Sequence, residues 1–280
     1  MIEIIGHKKQ IEQLNQVIKN QKLSHAYIFE GQSGIGKFLV AKQIAAEILK
    51  VNDLENDAAD INIIEPEDGL IKISKIRQLG EEIILKPTVS EKKVFIIRDG
   101  EMMNEAAQNA LLKVLEEPPE YAVIIITTSS KEKLIRTIKS RCTSFKFLPL
   151  SNDEIRQFYK NEEIDENIIN FSRGSIGKVE ALKEKGYVQD IINIYESLKN
   201  KNLLQLNKAF LKLKDYKEDI QEILELIMLK YFDELKCDYQ RRIKQIDIVE
   251  KCRQNLKKNA NFDIALDNMM LELWKLEANQ

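Results

Sequence analysis

The chain has 280 residues, 44% hydrophobic and 31% charged, which is the make-up of a folded globular protein and excludes a disordered one. Its 43 Lys and Arg against 45 Asp and Glu give a formal charge of -2, so any contact with nucleic acid is local or shared with partners rather than driven by bulk charge. The opening MIEIIGHKKQ lacks the apolar stretch of a secretion signal, no apolar run approaches the ~18 residues of a membrane span, and three scattered cysteines exclude a disulfide framework and suit a reducing cytoplasm.

In chain order, Ile11, Leu14, Val17 and Ile18 recur at helical spacing. Ala26 to Phe29 is a short apolar run that reads as a buried strand, Gly31 to Lys37 a loop, and Phe38 to Leu49 an apolar helix. VNDLENDAAD, residues 51–60, is polar and loop-like. Ile61 to Ile64 reads as a strand, 73–85 as a helix and Lys93 to Ile97 as a β-branched strand. Asn104 caps a helix that runs to Glu117, where Pro118 and Pro119 stop it. Ala122 to Thr127 and Ser144 to Leu148 complete the strands. Strands alternating with helices predict a parallel sheet covered on both faces over residues 1–150. Beyond Ser151 only helical patterns remain, with the last two strong helices at roughly 217–236 and 262–277. That shift predicts an α/β domain at 1–150, a small helical domain at 151–190 and an all-α domain at 191–280.

The sharpest local motif is Gly31-Gln32-Ser33-Gly34-Ile35-Gly36-Lys37, a G-x-x-x-x-G-K between strand and helix. Glycines at Gly31, Gly34 and Gly36 let backbone N–H groups, including that of Ser33, converge on phosphates, and Lys37 reaches the outer ones. The next residue should be Ser or Thr, whose hydroxyl ligates magnesium, but it is Phe38. An acid is expected directly after the strand 93–97, where Arg98 stands. A register slip that lets Asp99 serve stays open, but two departures in one metal shell point to weak or absent ATP hydrolysis.

Asn104 to Pro119 reads NEAAQNALLKVLEEPP. With Ser24-His25-Ala26-Tyr27 and Ser140-Arg141-Cys142, it resembles the delta-prime family of subunits in bacterial DNA polymerase III clamp loaders, which is related to the gamma/tau subunits and the small subunits of replication factor C. The resemblance covers most of residues 1–180, with a weaker trace at 259–266. It implies a AAA+ P-loop domain, a helical lid and a C-terminal collar that joins a ring of homologous subunits.

Three departures from the hydrolysing gamma-type pattern favour delta-prime: Phe38, Arg98, and Gly177 where that pattern carries a sensor arginine. The resemblance assigns Arg141 as an arginine finger inserted into a neighbour's ATP site, and Thr127-Thr128 as the place of the first nucleotide sensor, Thr128 being the candidate. The zinc module that many members insert after the first P-loop helix looks deleted, so no metal is expected. No cofactor is required on this reading, and ATP binding is left open. Expected partners are gamma/tau-type and delta-type subunits, the sliding clamp and, through the complex, primer–template DNA, with no membrane. An active gamma-like ATPase is the alternative. A small-molecule kinase is disfavoured, because 151–200 holds no arginine-rich lid. His25 reads as a packing residue, Glu116-Glu117 as a helix end or intersubunit contact, and Phe232, Met269, Met270 and Trp274 as core or collar interface.

Overall fold

The computed structural model describes residues 4–51, 59–199 and 202–278. The expected polar loop and zinc-module deletion at 51–60 therefore fall largely outside the described residues. The elements run α1 (Lys8–Lys19), β1 (Ala26–Glu30), α2 (Lys37–Leu49), β2 (Ile61–Ile64), α3 (Ile73–Glu82), β3 (Lys93–Ile97), α4 (Glu105–Glu116), β4 (Ala122–Thr128), α5 (Arg136–Arg141) and β5 (Thr143–Lys146). Helices follow: α6 (Asn152–Phe158), α7 (Glu166–Ser172), α8 (Ile176–Lys185), α9 (Val188–Leu198), α10 (Leu203–Asp215), α11 (Ile220–Asp233), α12 (Tyr239–Lys257) and α13 (Phe262–Ala278). The chain divides into two compact units, one of Met1–Asp165 with Ser172–Glu180 and one of Glu166–Phe171 with Ala181–Gln280.

The first unit is built on a five-stranded sheet in the order β2-β3-β4-β1-β5, and every pairing is parallel. Parallel strands are buried on both faces and so read as continuous apolar runs. In β4 all seven residues are buried, which is why AVIIITT stands out in the sequence. Alternation divides its side chains between two cores. Ala26, Ile28, Phe95, Ile97, Ile124 and Ile126 face Ile76, Leu79 and Leu111 of α3 and α4. Tyr27, Phe29, Val94, Ile96, Val123 and Ile125 face Leu14 of α1 and Val40 and Ile44 of α2.

Local chemistry sets the helix ends. The Asn104 side chain accepts from Ala107 N at 2.9 Å and caps α4. Ser151 and Glu154 form a reciprocal capping box at α6. α3 ends at Glu82, three residues short of the expected 85. Ile84 and Leu85 instead lie exposed before Pro87, which disfavours helix in the residue preceding it.

The second unit packs Tyr195 of α9 edge-on against Tyr231 of α11, ring centroids 4.9 Å apart, among buried Ile223, Ile227, Leu266 and Met269. Its longest helix, α12, has no clean apolar stripe: it buries Arg242 and Gln245 beside Ile246, Val249 and Cys252. Arg242 donates to Gln245 at 2.7 Å and pairs with Glu234 at 2.6 Å, and Gln245 donates to Glu277 at 2.6 Å. These bonds cover most of the buried polar groups, although Arg242 Nε has no hydrogen-bond partner among the described residues.

Candidate nucleotide site

The phosphate loop joins the carboxyl end of β1 to α2. Gly34 and Gly36 hold φ values of +75° and +98°, backbone that side chains with a Cβ rarely adopt. Gly31 approaches the Phe147 carbonyl so closely that an added Cβ would stand 2.4 Å from its oxygen. His7 Nε2 donates to Ile35 O at 2.7 Å, and the ring packs edge-on against Phe147 at 5.0 Å, which braces the loop from outside.

Lys37 is buried, and its Nζ donates to Gln32 O at 2.7 Å. Burial lowers its pKa, and the nearby Asp99 and Glu101 carboxylates oppose that shift. Residues at the start of α8 close the loop's other side. Ser175 Oγ donates to Ser33 O at 2.9 Å, and Gly177 N donates to Gly34 O at 3.0 Å. Gly177 also leaves no room to spare, since a Cβ there would stand 3.0 Å from Gly34 Cα.

The two departures from a metal-binding pattern touch each other. The Arg98 guanidinium lies 5.0 Å from the centre of the Phe38 ring and is anchored by Glu65 at 2.7 Å and Asp99 at 3.5 Å. Asp99 has left-handed backbone, φ 51°, and its N–H donates to Thr127 Oγ1 at 3.1 Å. Burial, reinforced by Glu101, raises its pKa against the pull of Arg98 and Lys37. Glu101 is pushed up by burial, but hydrogen bonds from Ser129 win and hold it below its ordinary value. A divalent cation would find an aromatic ring in place of a hydroxyl and a guanidinium in place of the carboxylate after β3, so this residue set does not fit the magnesium of an ATPase. Among the described residues no cluster of three His, Cys, Asp or Glu side chains is arranged to hold a metal.

A cavity of about 340 Å³ lies against the loop, lined by Ser33, Gly34, Gly36, Lys37, Phe38, Arg98, Asp99, Thr127 and Gly177 with the apolar Ile4, Ile5, Phe158 and Ile176. Thr127 lines it, while Thr128 is fully buried and donates to Ser130 O at 3.0 Å. The expected site residues other than Thr128 and Arg141 thus meet at one cavity or its loop. His7 and Ser175 belong to the same construction: nothing in the local sequence marks His7, while Ser175 lies in the Gly174-Ser175-Ile176-Gly177 step whose Gly177 the sequence singles out.

Arg141 ends α5 on a different part of the unit. Its Nη2 donates to Glu116 at 2.8 Å and its Nη1 to Thr137 O at 3.2 Å, with the side chain 34% exposed. His25 takes part through its backbone, accepting from Ile124 N at 2.9 Å beside β4.

A five-stranded parallel sheet in this order, with a glycine-rich loop running from β1 into the N-terminus of α2, defines the AAA+ class of P-loop proteins. The sequence pattern of the family described as "DNA polymerase III, delta subunit" matches residues 6–151, just over half of the chain, and the chain belongs to this family. Among curated relatives, the Bacillus subtilis DNA polymerase III subunit delta' is 27% identical over 85% of this chain and 80% of its own length. The gamma subunit of Buchnera aphidicola (Acyrthosiphon pisum) is 28% identical over 82% of this chain, and the tau/gamma subunit of Haemophilus influenzae 33% identical over 59%. The chain spans only 64% and 26% of the length of those two relatives. In fold, it is similar to a DNA polymerase III gamma subunit-related protein of Thermotoga maritima, at a TM-score of 0.56 and 23% identity over 96% of this chain and 99% of that one.

Proposed function

We propose that this chain is a delta-prime-type subunit of a DNA polymerase III clamp loader, which turns over little or no ATP itself and supplies Arg141 to a neighbouring subunit's ATP. The contact that carries the first half is Arg98 on Phe38: the two positions that would organise magnesium are filled by a cation and a ring stacked on each other. Asp99, the remaining carboxylate there, is paired with Arg98 at 3.5 Å, and that guanidinium competes with any metal for it.

The second half rests on Arg141. A planar guanidinium offers several fixed donors to a phosphate whose charge is redistributing. Its present partners are one half-exposed carboxylate and a carbonyl of its own helix, both of which it can exchange. On this reading the lid spans 151–190 and the collar 191–280. The collar offers seven-residue repeats of exposed apolar side chains, Leu204 and Leu211 on α10 and Ile264 and Leu271 on α13, to homologous subunits. The two helices pack together and are bridged by Lys214 to Asp263 at 2.7 Å. Gamma/tau-type and delta-type subunits are the partners, with the sliding clamp and primer–template DNA reached through the assembly. No zinc or other metal is needed, and the setting is the cytoplasm. No described helix is long and apolar enough to cross a membrane.

The test is a loader reconstituted with its partner subunits, in which DNA- and clamp-stimulated ATP turnover is compared between this chain and Arg141→Ala. Turnover should fall roughly a hundredfold or more per affected site with assembly intact, within reach of the ~10³–10⁵ measured for such fingers. Unchanged turnover would assign Arg141 a structural role, and failure of the unaltered chain to co-assemble would sink the clamp-loader reading.

A further inference from the structure

The sheet ends on β5, and the outer edge of that strand is open. Phe147 N donates to Glu30 O at 2.7 Å, and in a parallel pair both backbone groups of one residue turn to the same side. Thr143, Phe145 and Phe147 therefore direct theirs to β1, and Ser144 and Lys146 direct theirs outward. Of these outward groups only the Lys146 carbonyl has a partner among the described residues, the Gln10 side chain of α1 at 2.9 Å. An unpaired edge of this kind is a template for another strand.

Both faces beside the edge are furnished. A cavity of about 390 Å³ lies between α1 and the strand, lined by Gln13, Gln16, Val17, Asn20, Lys22 and Phe145. The four α1 residues recur at the spacing of one helix face, so three carboxamides are presented together. The rings of Tyr27 and Phe29, each 6.1 Å away, hold Phe145 from behind. Side chains alternate along a strand, so Ser144 and Lys146 stand on the opposite face from Phe145. There Lys131 Nζ donates to Ser144 Oγ at 2.7 Å. Lys146 is exposed, and neither lysine forms an ion pair among the described residues.

We propose that the edge of β5 takes up an extended segment of a partner protein in which apolar and acidic residues alternate. The segment joins the sheet through the N–H and C=O of Ser144 and the N–H of Lys146. Its apolar side chains lie over Phe145 and Val17, where Gln13, Gln16 and Asn20 reach its backbone, and its carboxylates lie on the other face against Lys131 and Lys146. A single-stranded nucleic acid could meet the same lysines and ring, but it makes no use of the strand edge.

The measurement is fluorescence anisotropy of the full chain with a labelled peptide of alternating Val and Glu, about eight residues long. It should bind, and the matching Val and Lys peptide should bind at least about tenfold more weakly. Ser144→Pro removes an N–H that faces away from β1, so the fold should persist while affinity for the acidic peptide falls about tenfold. Ser144→Ala keeps that N–H and should bind within about twofold of the unaltered chain. Lys131→Glu/Lys146→Glu should reverse the preference between the two peptides. In amide exchange, Ser144 and Lys146 should slow when the acidic peptide is added, while Phe145, already bonded to β1, should not change. No binding of the acidic peptide, equal binding of both peptides, tighter binding of an oligothymidylate, full affinity in Ser144→Pro, or binding that leaves the exchange of Ser144 unchanged would each overturn the proposal.

Discussion

Arg98 and Arg141 stand in two regions of the same unit and make nearly the same ion pair. Arg98 meets Glu65 at 2.7 Å with the side chains 46% and 48% exposed, and Arg141 meets Glu116 at 2.8 Å with 34% and 50%. Exposed pairs of this kind contribute little on their own, commonly 0–1 kcal/mol. The surroundings make the difference. Arg98 lies over the Phe38 ring and holds a second carboxylate, Asp99, on the wall of a cavity. Arg141 has only its own helix behind it. The difference lies in what fixes each: Arg98 is held by a ring and two carboxylates, Arg141 by one carboxylate and a carbonyl of its own helix.

The largest test of that contrast is functional. In the reconstituted loader Arg141→Ala should cost a hundredfold or more in turnover, whereas Arg98→Ala should leave the neighbour's turnover within about twofold, since it removes nothing offered across the ring. Equal losses from both variants would erase the distinction.

Next in size is the loop that Arg98 guards. Gly34→Ala places a Cβ 2.3 Å from Ser175 Oγ at a φ of +75°. The backbone penalty of about 1–2 kcal/mol plus the displaced Ser175 contact should bring the total to roughly 2–3 kcal/mol, read from a denaturant midpoint. A loss below about 1 kcal/mol would mean that the loop and the start of α8 shift apart at little cost, and that the fixed cavity is not fixed.

A carboxylate elsewhere in the unit supplies the reference for what a committed charge does. Asp60 is buried and accepts from the N–H groups of Thr88, Val89 and Ser90 at 2.6, 2.9 and 2.6 Å. Burial pushes its pKa up, but these donors outweigh it and leave the carboxyl below its ordinary 3.8. A depressed folded value means that the unfolded chain takes up the proton first. The contribution is therefore present above pH about 4 and lost as pH falls below it. Asp60→Asn should flatten the acid limb of a stability–pH curve and cost about 1–3 kcal/mol at neutral pH. Asp99 runs the other way: its raised pKa favours the folded state at low pH, and that advantage fades as pH rises through the folded value.

Much of the first unit was legible because its signals are local. A buried parallel strand must be an unbroken apolar run, so Lys93–Ile97 and the core of Ala122–Thr128 could be read directly, and a cap at Asn104 with Pro118 beyond placed α4. The glycine loop and its two departures were equally plain. What stayed hidden depends on distance along the chain. Ser175 meets Ser33 across 142 residues and His7 meets Ile35 across 28, and neither has a neighbour that betrays the bond. The pair at Thr127 and Thr128 was visible, but which hydroxyl turns to the cavity depends on the strand's register against its neighbours. The sequence reading did not single out α12 either, because its inward face is built on Arg242 and Gln245 rather than on an apolar stripe.

The smallest effect is the most discriminating. Glu116→Gln removes the carboxylate that holds Arg141 yet keeps its shape, and the pair is half-exposed, so stability should change by less than about 0.5 kcal/mol. Arg98 has three groups against it and Arg141 two. Matching loss of the Glu65 carboxylate in Glu65→Gln should therefore leave Arg98 stacked on Phe38, while Glu116→Gln should free Arg141 to sample other rotamers. Spin-relaxation measurements on the arginine Nε–H groups would show it as a drop in order for Arg141 and little change for Arg98. If both arginines loosen equally, then the Glu65 pair, and not the aromatic stack, is what holds Arg98 in the cavity wall.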